Sequence, residues 1–137
     1  MAKQVTIELS EDFYSVVEHV TRATGETWET VFNHWVTNPI PNPTQSNIDL
    51  LTDEIENYDL IQLWMIVYRK LPSELEARYQ AIMEKQRAGQ QLTAQEKSEW
   101  DAHVKLGELA MLLRAHALAT LKARGSNIDI YVNRELD

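Results

Sequence analysis

Glu99 and His103 stand four residues apart, with Glu96 three residues before Glu99, so on one helix the three side chains share a face and could ligate a cation. A carboxylate-rich metal site also needs ligands from neighbouring helices. The chain offers no second Glu-x-x-His element, so this cluster reads as a solvated helix face. His116, set among Leu113, Ala117 and Leu118, reads as a packed or boundary histidine and not as a catalyst. There is no cysteine, no glycine-rich phosphate loop and no nucleophile elbow. The expectation is a non-enzyme with no metal and no cofactor.

Those residues must be positioned by helices. After Ser10, a plausible N-cap, Phe13, Val16, Val17 and Val20 recur at i, i+3, i+4, i+7, and Gly25 supplies a left-handed terminator. Thr27 can cap a second helix whose stripe is Trp28, Val31, Phe32, Trp35 and Val36. So heavy a stripe on so short a helix has to be covered by something. Pro39, Pro41 and Pro43 then forbid helix and mark a stiff connector. From Ile48 helical periodicity resumes through a strongly apolar segment that ends at Pro72. Two further helices, meeting near Gly89, are predicted to form an antiparallel hairpin, the second opened by a Thr93–Glu96 capping box and closed at Gly125. Its seam is predicted along Trp100, Val104, Gly107, Met111, Leu118 and Leu121, facing Leu75, Tyr79 and Ile82, with Gly107 admitting a close neighbour.

Both ends carry period-2 alternation: Val5, Ile7 and Leu9 at the first, Ile128, Ile130 and Val132 at the second. The predicted organisation is mostly α, with a strand-helix-helix module over residues 1–38, a proline-rich linker over 39–47, a helical hairpin domain over 48–125, and a tail or short strand over 126–137.

The 137 residues carry a net charge of -8, which favours solubility and opposes a mainly electrostatic grip on nucleic acid or anionic lipid. The start does not read as a signal peptide, and no apolar run approaches the ~20 residues that span a bilayer. The expected location is cytoplasmic. From Arg69 to Arg124 ten cations face seven acids, making this the one positive region; mixed signs at helical spacing read as solvated faces.

The strand, the capped helix, the Gly-x-Thr turn and the second apolar helix over residues 3–38 resemble the ribbon-helix-helix family. The resemblance implies that residues 5–9 pair with the same strand of a second copy, making a homodimer; the alternative is pairing with residues 128–132 of the same chain. It further implies that Gln4, Thr6 and Glu8 face the major groove of DNA, while Thr27 lies where that family clamps a phosphate. The remainder is similar to bacterial, especially cyanobacterial, proteins that join such a start to a helical hairpin. The resemblance therefore implies a DNA-binding transcriptional regulator, antitoxin-like, whose hairpin takes a protein partner. The chain departs from the family in charge: Lys3 and Arg22 stand against six acids up to Asn38. The alternative is an interaction or scaffold protein that uses the ribbon only to dimerise and does not bind DNA.

Overall fold

Leucine, isoleucine, tryptophan, methionine and valine surround the helix Leu60–Tyr68 on every side, so it can be stable in water only if its neighbours enclose it. They do. In a computed structural model describing residues 10–70, 73–129 and 131, the chain forms α1 (Glu11–Thr24), α2 (Trp28–Thr37), α3 (Ile48–Glu54) with a following 3-10 turn (Ile55–Asn57), α4 (Leu60–Tyr68), α5 (Ser73–Arg87) and α6 (Ala94–Ala123). In α4 every residue from Leu63 to Tyr68 is buried, beneath α1, α2 and the C-terminal half of α6.

Helix α1 begins where Ser10 accepts from the Phe13 amide (3.1 Å) and ends where Gly25 adopts φ 77°, a conformation that costs glycine nothing. Its buried face, Val16, Val17 and Val20, rests on α4. In α2 Val31 is fully buried, and Trp28, Phe32 and Trp35 are half-buried, Trp28 stacking on Phe32 at 5.1 Å. Within one chain α4 covers Val16, Val17, Val20 and Val31, while Trp28 and Phe32 lie against Tyr14 and Phe13 of α1.

The resemblance to the ribbon-helix-helix family is corrected accordingly: every regular element among the described residues is a helix, with no strand among them. The expected strand over residues 5–9, with Gln4, Thr6 and Glu8, lies outside the described residues. The second expected strand is not formed at its described positions either. Ile128 is in a turn, Asp129 and Tyr131 are helical, and the Tyr131 amide donates to the Ile128 carbonyl at 3.0 Å; Ile130 and Val132 lie outside the described residues.

The helix expected to run unbroken from Ile48 is divided. Asp59 starts α4 anew with a capping box, accepting from the Gln62 amide (2.9 Å) while the Gln62 side chain accepts from the Asp59 amide (3.1 Å). The proline connector is held against the core, with Ile40 and Pro43 buried and Arg69 donating to the carbonyls of Ile40 (2.6 Å) and Pro41 (3.3 Å).

Helix α6 serves two ends. Leu113, Ala117 and Leu121 enter the core, whereas the N-terminal half pairs with α5 to form an arm. The seam is rotated in part from the predicted one: Leu121 and Ile82 are buried as expected, but Val104 and Met111 face solvent and a Cβ at Gly107 would meet nothing within 4 Å; the Leu75 side chain lies outside the described residues.

Candidate functional site

The arm is fixed at its tip by polar contacts. Thr93 accepts from the Glu96 amide (3.1 Å), and the Glu96 carboxylate accepts from the Thr93 amide (2.9 Å) and from Lys85 (2.7 Å), which joins α6 to α5. One turn on, Arg78 donates to Glu99 at 2.7 Å. His103 stacks on Tyr79 with ring centroids 3.7 Å apart. The Glu96, Glu99 and His103 cluster is thus not the plain solvated face expected. Glu96 is buried, and both carboxylates are engaged by cations from α5.

The Lys85 bond, followed by the Thr93 backbone bond, holds the Glu96 carboxyl down to about 2, from an ordinary 4.5. A carboxyl depressed in the folded state adds stability that is complete above about 4.5 and is lost as pH falls toward 2. Urea midpoints of the wild type and Glu96→Gln should therefore differ most above pH 5 and converge on acidification. A gap that is constant with pH would show that the Glu96 charge adds nothing.

Where the arm joins the core, the end of α4, the connector at Asn42 and Pro43, α5 and the middle of α6 enclose a cavity of about 310 Å3. One wall is apolar, built from Ile66, Tyr79, Met83, Leu106, Ala110 and Leu113. Arg69, Lys70 and Arg114 supply the other; His103 lies on the apolar side, stacked on Tyr79, and Glu76 is the one acid among the described lining residues. The same three cations also border a shallower depression with His19, Tyr68 and Tyr131.

The electrostatics of this wall are unbalanced. Burial, reinforced by the neighbouring charge of Arg114, lowers the Arg69 guanidinium to about 10, so it stays cationic at neutral pH. Its two carbonyl bonds and the Trp35 ring, 5.9 Å from the guanidinium carbon, fix its direction. Arg114 Nε and His103 Nδ1 are buried without a hydrogen-bond partner among the described residues. Buried donors left unpaired are costly, by about 1–3 kcal/mol each. Chemically, the wall is built to receive an acceptor, and a negatively charged one best.

None of these three cations was singled out as a site by sequence reasoning. The signal present was the positive balance between Arg69 and Arg124, and it does not show which charges meet. Of the residues expected to touch DNA only Thr27 is described. Its hydroxyl accepts from the Thr30 amide (3.2 Å) and donates to the Thr30 hydroxyl (2.8 Å), which makes it the cap of α2, with exposed Glu26 and Glu29 beside it. No described helix is long and apolar enough to cross a membrane.

No family model, curated protein or solved structure matches the chain. The ribbon-helix-helix resemblance therefore has neither a family match nor a described strand behind it.

Proposed function

We propose that this chain is a non-enzymatic interaction protein that forms a homodimer through the outward face of α6. The observation that supports this is a largely apolar strip on that face: Val104, Met111 and Leu112 are exposed, Met111 to 68%, and the strip continues through exposed Ala115 and Ala119, interrupted by exposed Glu108 between Val104 and Met111. Small and large apolar residues at three- and four-residue spacing suit a second helix.

A second copy fits by charge. If two α6 helices cross antiparallel about Met111 and Leu112, Val104 lies opposite the partner's Ala119, and Asp101 lies opposite the partner's Lys122. The contact is self-complementary, as a two-fold interface requires. A DNA-binding, antitoxin-like role is the weaker reading, because exposed Glu11, Glu26 and Glu29 crowd the first turns of α1 and α2 and would repel phosphate.

In sedimentation at micromolar concentration the protein is expected at twice its 15.9 kDa chain mass, and Met111→Glu at the monomer mass with an unchanged helical spectrum. Lys122→Asp should weaken the dimer, and adding Asp101→Lys should restore it. A wild-type monomer would overturn the proposal, and a dimer indifferent to both substitutions would remove α6 from the interface.

A further inference from the structure

We propose that the cavity at the root of the arm binds a small organic anion, its carboxylate or phosphate held by Arg69, Lys70 and Arg114 and its apolar body lying along Tyr79, Met83 and Leu106. This stands apart from dimerisation, since it uses the inner side of α6 and the end of α4.

In a chain of net charge -8, cations that are close together and unmatched by acids call for a reason. On the arm Arg78 pairs with Glu99 and Lys85 with Glu96, while Arg87, Lys97 and Lys105 stand exposed to solvent; at the core end of α6, Arg124 donates to the Tyr58 and Glu56 carbonyls. At the cavity, Arg69 and Arg114 instead lie close enough to repel one another, with Glu76 the one acid among the described lining residues. Arg69 is anchored through two N–H groups, so its position is set before any ligand arrives. Arg114 keeps a buried Nε–H with no acceptor among the described residues. An anion would supply that acceptor and offset the repulsion between the guanidinium groups.

The opposite wall decides what the anion is attached to. It is mainly hydrocarbon and aromatic, which suits an apolar body and not a bare inorganic ion. A volume of about 310 Å3 is at the lower limit for small-molecule sites, so a single ring or short chain fits and a dinucleotide does not.

Calorimetric titration of the full chain with benzoate and with phenyl phosphate tests the site and separates the two head groups; benzyl alcohol and inorganic phosphate are the controls. At least one aryl anion should bind, at least about tenfold tighter than either control. Arg114→Met should weaken that binding about tenfold or more with the helical spectrum intact. Lys70→Met, at an exposed position that carries no packing, should weaken it as well and serves if the Arg114 variant does not fold. Lys97→Met, remote from the cavity, should leave it unchanged. The proposal is overturned if neither aryl anion binds at about 10 mM. It is equally overturned if benzyl alcohol or inorganic phosphate binds as tightly, or if Lys70→Met and every folded Arg114 variant bind as the wild type does. Sedimentation at the monomer mass together with binding would refute the dimer and leave this site standing.

Discussion

Trp64→Ala is expected to destabilise the fold by about 3–5 kcal/mol, the range for removing a buried aromatic ring. Trp64 is 2% exposed in the middle of α4, stacks on Tyr68 at 5.7 Å, and belongs to the core that α1, α2 and α6 share. Close packing around a core shared by three other helices leaves little room for neighbours to collapse into the space it vacates. Domains of this size are stable by only about 5–15 kcal/mol, so the loss should move the urea midpoint far down or leave the chain partly unfolded. Val36→Ala provides the contrast: Val36 is 59% exposed, and its truncation should change stability by less than about 0.5 kcal/mol. Equal effects from the two substitutions would mean that α4 is not the centre of the core.

The second large effect is expected at Arg124. Its guanidinium donates from Nη1 to the Tyr58 carbonyl (2.6 Å) and from Nη2 to the Glu56 carbonyl, at the break between α3 and α4. Hydrogen bonds to a charged group contribute about 1.5–3 kcal/mol each, and because Arg124 is itself exposed the pair together should be worth about 2 kcal/mol. Arg124→Ala loses both, while Arg124→Lys, with one ammonium and no fork, should keep about half. Chemical denaturation monitored by tryptophan fluorescence reads the difference. Two unchanged midpoints would show that the fork contributes nothing in water.

The parts of this fold that were legible beforehand are those set by neighbours in sequence. Ser10, Thr27, Gly25 and the Thr93–Glu96 pair act within one helical turn, and each caps or closes its helix as its type demands. The Asp59–Gln62 box was equally local, yet the apolar recurrence of Leu51, Ile55 and Tyr58 runs straight through it and hid the break. In α6 the difficulty was phase. Val104, Met111 and Leu118 make one apolar line and Leu106, Leu113 and Ala117 another, with Leu121 ending the predicted seam, so periodicity alone could not say which would be buried. The tertiary structure chose the second line for the core, leaving Val104 and Met111 on the surface. The cationic wall was beyond sequence reasoning altogether, because Arg69 and Arg114 meet only once α6 has packed on α4.

The enclosure of α4 also has a consequence in time. Helix α4 ends at Tyr68, but the α6 residues that close over it, Leu113, Ala117 and Leu121, are made roughly 50 residues later. At about 5–20 residues per second, the emerging chain carries a half-covered apolar helix for several seconds before its last wall exists. During that interval α1 and α2 can already shield one side. The other side is a natural stop for a chaperone, and the point in synthesis at which nascent copies are most prone to stick to one another.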